Sequence, residues 1–249
     1  MRVALRLEIA ERVNWTAMLT IRKANRRGHT VLDWLDSHHT FSFGEYYEPA
    51  AMGFSVLRVI NDDTVAARGG FPTHPHNNME IVTWVLSGAL EHRDSMGNGS
   101  IIRPGDAQRM TAGTGVTHSE FNASTTAPVH FLQMWVLPER RGLEPGYEQR
   151  NFAEADRRGR MRLIASPDGA DGSITIHQDS RLYDGILGAG ESIAQPLDPK
   201  RKGWLHVARG AVRVNDTALA AGDGAGIENE SELKLAASDD SEVLLFDLP

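Results

Sequence analysis

The sequence has no cysteine among its 249 residues, which excludes disulfide bonds, thiolate metal ligands and a cysteine nucleophile. Its apolar runs also fall far short of the roughly 20 residues that a membrane-spanning helix requires. Basic residues form no long run, and 26 lysines and arginines stand against 33 aspartates and glutamates. The resulting net charge of −7 argues against a nucleic-acid-binding surface. We therefore expect a cytoplasmic protein that binds neither nucleic acid nor membrane directly.

Residues 1–17 lack the continuous apolar core of a signal peptide, because Arg6, Glu8, Glu11 and Arg12 interrupt it. The segment is compatible with a short amphipathic helix. We treat it as an N-terminal extension of unknown role, and the sequence leaves open whether it belongs to the native protein.

Short apolar segments separated by turn signals make up most of the remaining chain. Segments 54–60, 81–86, 89–94 and 130–137 are predicted to be strands. The turn signals between them include Asn61-Asp62-Asp63, Ser87-Gly88, the glycine loop 97–99 and the Pro-Gly-Asp turn 104–106. This arrangement is typical of a small antiparallel β-barrel.

A charged, Pro- and Gly-bearing segment at 139–160 predicts a linker between two domains. Within it, Arg157 and Arg158 are interpreted as part of a solvated face. A second set of strands is predicted beyond the linker, at 162–165, 173–177, 203–208, 211–214 and 244–246. The sequence thus predicts a first domain over 18–138 and a second over 161–249.

Two pairs of potential metal ligands lie in the first domain, His74 with His76 and His118 with Glu120. Each pair has one intervening residue, and alternate side chains of a strand share a face, so each pair projects to one side. Two such strands brought together would aim three imidazoles and a carboxylate at one point, as in an open mononuclear metal site. Pro75 lacks an N–H group, which favours an edge or irregular strand.

These motifs resemble those of the cupin superfamily, and most closely those of pirins and the pirin-like bacterial quercetinases. The residues that match the two cupin motifs are His74, His76, Glu80 and Gly88, then Gly105, Gly115, His118 and Asn122. The pirin-like runs are Phe-Pro-x-His-Pro-His at 71–76, Thr-Ala-Gly-x-Gly at 111–115 and His-Ser-Glu at 118–120. The resemblance extends from about residue 18 to the C-terminus.

The resemblance implies an all-β bicupin, in which two antiparallel β-barrel (jelly-roll) domains pack together. It implies that the metal ligands are His74, His76, His118 and Glu120. Glu80 is left out of this set as a supporting or structural residue. The ligand types suit Fe(II), Mn(II), Co(II), Ni(II), Cu(II) or Zn(II), and the resemblance favours Fe(II).

The second domain is expected to be cupin-like but without a metal site, because its histidines, His177 and His206, stand alone. The implied activity is that of a quercetin 2,3-dioxygenase: metal-dependent cleavage of a flavonol by O₂ with release of carbon monoxide. Glu120 is the implied catalytic base and would take the proton of the substrate's 3-hydroxyl.

Other interpretations remain open at this stage. The same ligands suit an iron-binding regulatory protein that contacts a transcription factor or a metabolic enzyme. A cupin isomerase acting on a sugar or small acid would need cationic side chains in the lumen, and the candidates are Arg58, Arg68 and Arg109. Gln133 and Trp135 are interpreted as ordinary barrel packing, and the adjacent His38 and His39 as hydrogen-bonded residues that order a loop. Nothing in the sequence demands more than a monomer.

Overall fold

The computed structural model describes residues 18–249, whose regular secondary structure is almost entirely β-strand. The strands of the first half are β1 Met18–Arg22, β2 Gly28–Leu32, β3 Leu35–His39, β4 Leu57–Val65, β5 Gly70–His76, β6 Glu80–Ser87, β7 Leu90–Asp94, β8 Gly99–Ile102, β9 Asp106–Thr111, β10 Val116–Asn122, β11 Val129–Val136 and β12 Gly146–Asn151. The extension 1–17, with its predicted helix, lies outside the described residues.

The strands of the second half are β13 Arg162–Ser166, β14 Ile174–Thr175, β15 Arg181–Leu187, β16 Ser192–Pro196, β17 Lys202–Arg209, β18 Ala211–Val214, β19 Thr217–Ala220, β20 Gly224–Glu228, β21 Glu232–Ala237 and β22 Ser241–Leu248. One short helix, α1 Glu154–Arg157, and 3₁₀ turns at Ala24–Arg26 and Ala170–Gly172 complete the described part of the chain. None of the helices formed by residues 18–249 has the length and apolar character needed to cross a membrane.

Each half is a pair of facing sheets, one of seven strands and one of four. In the first half the large sheet runs β12-β9-β6-β11-β4-β3-β2 and the small one β5-β10-β7-β8. In the second half the corresponding orders are β1-β20-β17-β22-β15-β13-β14 and β16-β21-β18-β19. The predicted all-β fold of two packed barrel-like domains is confirmed.

The two halves share one apolar core, because the outer faces of the two seven-stranded sheets pack against each other. Trp84, Leu132 and Met134 from the first half belong to the same buried cluster as Trp204 and Phe246 from the second. Burial of these side chains stabilises the folded state by roughly 25 cal/mol for each Å² of apolar surface removed from water. The shared core therefore supports the large sheet of the first half, which faces the small sheet that carries the pairs of potential ligands.

The first described strand, β1, lies in the sheet of the second half, where it pairs with β20 and Ile21 stands opposite Ala225. The division into domains at residues 18–138 and 161–249 stays a prediction. The strand pairing adds that Met18–Arg22 completes the second half's large sheet.

The prediction of a turn at Asn61-Asp62-Asp63 was wrong, because these residues form the middle of strand β4. Their side chains alternate across the sheet. Asn61 and Asp63 face the interior of the first half, whereas Asp62 faces outward and pairs with Arg27 and His130. Each polar group has a partner, so residues that usually favour turns are accommodated within a strand.

The linker prediction needs two corrections. Gly146–Asn151 is a strand that pairs with β9 and extends the first half's large sheet. Arg157 is buried rather than solvated: its Nη1 donates to Asp184 Oδ2 at 2.7 Å and to Glu242 Oε1 at 3.1 Å. Burial, followed by the charge of Glu242, raises the pKa of Asp184. Arg158 is exposed and pairs with Glu154, as a solvated residue does.

His206 gives the fold a predicted sensitivity to acid. Its side chain is buried and neither ring nitrogen has a hydrogen-bond partner. Burial lowers the pKa of His206 to about 4 against an ordinary value of 6.5. Between these values the unfolded chain binds a proton that the folded chain does not, so stability falls as the pH drops through this window. The expected loss attributable to His206 is about 2 kcal/mol by about pH 5.

The measurement is urea unfolding of the parent and the His206→Gln variant at about pH 7 and about pH 5. Glutamine is similar in size and does not titrate, so the variant is expected to lose less stability on acidification than the parent. Equal losses in the two proteins would contradict the assignment. All other titrating groups are common to both and cancel in the comparison.

Candidate metal centre

The two predicted ligand pairs lie on neighbouring strands of the small sheet. Strand β5 is at the sheet edge, as Pro75 predicted, and pairs antiparallel with β10. His74 stands directly opposite His118 across this pair. A register shift between His118 and Glu120 marks an irregularity in β10, a common feature near functional sites.

The structure brings the three histidines of these pairs together. Their ring centroids are 4.4 Å apart for His74 and His118, 4.8 Å for His74 and His76, and 4.9 Å for His76 and His118. One potential ligand atom from each ring lies within 4.8 Å of the other two. Glu120 belongs to a second, overlapping group with His118 and His92, held within the same limit. His118 is the residue common to both groups, so Glu120 lies next to the three-histidine group through His118.

The hydrogen-bond partners of these side chains fit a metal. His76 Nε2, His118 Nε2 and Glu120 Oε1 are buried without any hydrogen-bond partner. His74 Nδ1 donates to the Pro72 carbonyl at 2.8 Å, which leaves its Nε2 lone pair available. Buried polar atoms are rarely left unpaired, so this convergence of orphaned acceptors indicates a site shaped for a cation.

The protonation states suit the same purpose. Burial, followed by the charge of His74, lowers the pKa of His76 to about 4, and burial also strongly lowers the pKa of His118. Both rings are therefore neutral at neutral pH, the form in which imidazole binds metals. Burial raises the pKa of Glu120 to about 7, opposed by the hydrogen bond from Gln133. Glu120 can thus exchange a proton near neutral pH.

A cavity of about 480 Å³ opens beside the imidazoles. Its size lies within the range of small-molecule sites. The lining residues come from the large sheet, the small sheet and the loop after β3, and are Thr30, Leu35, Ser37, His39, Phe43, Gly44, Glu45, Asn61, Asp63, Phe71, Pro72, Thr73, His74, His76, Glu120, Gln133 and Trp135. No lysine or arginine is among them, so the cavity offers no cation to a sugar phosphate or small acid.

Comparisons with known proteins assign the chain to a family. Residues 20–136 match the Pirin family model, and residues 163–248 match the quercetinase C-terminal cupin domain. The chain is 48% identical to the quercetin 2,3-dioxygenase of Escherichia coli K12 over 232 residues, covering 93% of this chain and 99% of that one. The chain belongs to the pirin family. The predicted resemblance and the bicupin fold are confirmed.

Solved structures of similar proteins agree with this assignment. The bacterial pirin YhhW from Escherichia coli, in complex with nickel(II), superposes with a TM-score of 0.88 at 48% identity, covering 93% of this chain and 99% of that one. The Escherichia coli protein YhaK superposes with a TM-score of 0.70 at 32% identity, covering 84% of this chain and 92% of that one. Both comparisons span the two halves, so the relationship is not confined to the metal-centre half.

Glu80 and Arg109 do not line the cavity. Glu80 is buried and accepts from Thr111 Oγ1 and from the His177 backbone N–H, each at 3.1 Å, which links the two halves. This agrees with its exclusion from the ligand set. Arg109 donates to the Thr175 carbonyl at 2.8 Å, which places its charge at the junction of the halves.

The interpretation of Gln133 and Trp135 as ordinary packing was wrong. Trp135 Nε1 donates to Gln133 Oε1 at 3.1 Å, and Gln133 Nε2 donates to Glu120 Oε2 at 2.7 Å. The tryptophan therefore fixes the orientation of the amide, and the amide fixes one carboxylate oxygen of Glu120. The sequence signal for this role was the alternation of side chains along β11. Alternation alone does not show which face of the strand is internal.

Sequence reasoning missed His92 and the polar wall of the cavity. His92 is buried on β7, with its Nδ1 3.5 Å from His118 Nδ1 and its Nε2 3.2 Å from Asp94 Oδ2. On the opposite wall Ser37 Oγ donates to Asp63, and burial raises the pKa of Asp63 to about 7. His39 is hydrogen-bonded to Asn61, as expected, and also lines the cavity.

The interior of the second half differs from that of the first. It is filled by aliphatic side chains that include Leu205, Val207, Leu235 and Val243. His206 faces away from this interior, on the side of β17 that carries Trp204 and Ala208 of the shared core. The potential ligand groups found within residues 18–249 all belong to the first half.

Proposed function

We propose that this pirin-family chain is a metal-dependent dioxygenase that cleaves flavonols such as quercetin with O₂ and releases carbon monoxide. The observation that carries the proposal is a cavity of about 480 Å³ lined by His74, His76 and Glu120, next to the unpaired buried acceptors of His76, His118 and Glu120. The name of the 48% identical Escherichia coli relative, quercetin 2,3-dioxygenase, supports the substrate class.

The proposed ligands are His74, His76, His118 and Glu120. Support comes from the close donor atoms of the three histidines and from a second such group in which Glu120 joins His118. The bound metal supplies Lewis acidity toward the substrate oxygens and a redox partner for O₂. Fe(II) remains the favoured ion on family grounds, and the nickel(II) found in the Escherichia coli relative supports Ni(II) as a second candidate. Mn(II), Co(II), Cu(II) and Zn(II) also suit this donor set.

Glu120 is the proposed base. Before a metal binds, burial raises the pKa of Glu120 to about 7, which makes the carboxylate basic enough to take the proton of the flavonol 3-hydroxyl. Gln133 holds Oε2, so Oε1 is the oxygen that faces the proposed metal, and in the proposed role Glu120 takes the proton while it stays at or near that metal. In the overall reaction the heterocyclic ring opens, both atoms of O₂ enter the depside product, and one ring carbon leaves as carbon monoxide.

The walls of the cavity suit a flat polyphenol. Phe71 and Trp135 provide aromatic surface beside the imidazoles, and the Trp135 ring contacts His76 edge-on at 4.9 Å between centroids. Asn61 and Asp63 line the polar wall, where they are placed to bind phenolic hydroxyls. Aromatic walls with a few fixed polar groups are what orient a small substrate.

The alternative is an iron-binding regulator that contacts a transcription factor or a metabolic enzyme. An open cavity with a proton acceptor at its inner end favours the enzyme over this alternative. A protein partner, the monomeric state and the cytoplasmic location stay predictions.

The proposal is tested by carbon monoxide release from quercetin under air. Protein reconstituted with Fe(II) is expected to release one carbon monoxide for each quercetin consumed, and chelator-treated protein none. Parallel samples loaded with each of the other five metals identify the ion that supports turnover. If none of the metal-loaded proteins releases carbon monoxide, the dioxygenase proposal fails and the regulatory alternative takes its place.

A further inference from the structure

A second group of potential metal ligands lies outside the cavity, on the hairpin formed by β2 and β3. His29 stands directly opposite His38 in the strand pair, and Asp36 precedes His38 by two residues on the same face. One donor atom from each of the three side chains lies within 4.8 Å of the others. Two of these residues are exposed and His38 is half-buried, whereas in the cavity group His74 and His76 are half-buried and His118 is buried.

The geometry of this hairpin group is ordered. The imidazoles of His29 and His38 stack with their centroids 4.2 Å apart and their planes 16° from parallel. Asp36 Oδ1 lies 2.7 Å from His29 Nε2 and 3.5 Å from His38 Nδ1. Two nitrogens bound to one tetrahedral zinc are about 3.3 Å apart, whereas the donor atoms here lie within 4.8 Å of one another, so coordination requires the two stacked rings to turn toward a common point.

We propose that His29, Asp36 and His38 form a second, surface site for a borderline divalent cation such as Zn(II), with water completing the coordination. Two imidazoles with one carboxylate are a donor set that such ions accept with open positions. Burial, followed by the charge of Arg27, lowers the pKa of His38, so its ring is available in the neutral form that binds metals.

The charged neighbours do not block this site. Arg27 Nη1 pairs with Asp62 Oδ2 at 2.9 Å, and His130 Nε2 lies 2.6 Å from the other oxygen of the same carboxylate. The positive charge nearest to His38 is therefore already balanced. Asp36 is left as the carboxylate that faces both stacked rings.

The hairpin also connects the second site to the cavity. Its opposite face carries Thr30, Leu35, Ser37 and His39, all of which line the cavity. An ion on the outer face would cross-link β2 to β3 and brace this wall without touching the substrate. The inference does not depend on the proposed dioxygenase activity, because it concerns ion binding alone.

The test is equilibrium dialysis of the full-length protein against Zn(II) throughout the micromolar range. The parent is expected to bind two equivalents, one in the cavity and one on the hairpin. Asp36→Asn is expected to keep the first and to weaken the second at least about tenfold, because the charged ligand is lost. His38→Asn is expected to behave in the same way.

The matched control is His130→Asn, which removes a half-exposed histidine on the same sheet face but outside the proposed site. It is expected to bind two equivalents like the parent. The inference is overturned if Asp36→Asn binds as many equivalents as the parent with unchanged affinity, or if His130→Asn binds one equivalent fewer than the parent. Because the substituted side chains are at least partly exposed, the fold is expected to survive each change.

Discussion

Replacement of His76 by alanine is expected to remove both the bound metal and carbon monoxide release from quercetin. His76 Nε2 is a buried acceptor without a hydrogen-bond partner, so binding a cation is the interaction that would satisfy it. Its loss leaves two imidazoles and Glu120, and opens a void beside Trp135. We expect metal content after dialysis to fall well below one ion per chain and turnover to fall to the level without enzyme.

The measurement pairs elemental analysis with a carbon monoxide assay on the same samples. His130→Ala is the control, since it removes a histidine that lies outside the cavity and pairs with Asp62. It is expected to retain the metal and the activity. Full carbon monoxide release by metal-free His76→Ala protein would contradict the proposed mechanism, because that mechanism requires the bound metal.

Replacement of Arg157 by methionine is expected to have the largest effect on stability. Methionine preserves part of the apolar stem but removes the cation that contacts both buried carboxylates, those of Asp184 and Glu242. Within the described residues Glu242 has a further cation partner, Arg209 Nη1 at 3.6 Å, whereas Asp184 has none. Breaking a buried ion pair by removing one partner destabilises proteins by about 3–5 kcal/mol. The guanidinium also stacks over Trp84 at 5.1 Å in the shared core, so both halves are expected to be weakened.

Urea unfolding measures this effect, and the neighbouring residue provides the control. Arg158 pairs only with exposed Glu154, and exposed pairs contribute little, so Arg158→Met is expected to change stability by less than about 0.5 kcal/mol. Similar unfolding midpoints for the two variants would show that the buried cluster does not need its cation.

The sequence predicted the parts of the site that depend on local spacing. The alternation within His74-Pro75-His76 and within His118-Ser119-Glu120 places each pair on one face whatever the rest of the chain does. The edge position of the strand that contains Pro75 was predicted in the same way, from the missing N–H group of proline. Such inferences hold because the rule acts within a single strand.

The parts that failed depend on partners distant in sequence. Asn61 and Asp63 suggest a turn until His39 and Ser37 of another strand satisfy them inside a sheet. Arg157 suggests a solvated residue until Asp184 and Glu242 are brought beside it. His92 has no ligand-like neighbour on its own face of β7 other than Asp94, so its approach to His118 is visible only in three dimensions.

The position of β1 has a consequence for how the chain is made. Lys23, which follows β1, pairs with Asp223, 200 residues further along the chain. During synthesis this strand leaves the ribosome long before β20, so its edge stays unpaired while the metal-centre half is completed. Closing so long a loop is entropically unfavourable and slow. The last step of folding is therefore expected to be the return of the chain's C-terminal part to a strand that emerged near its start.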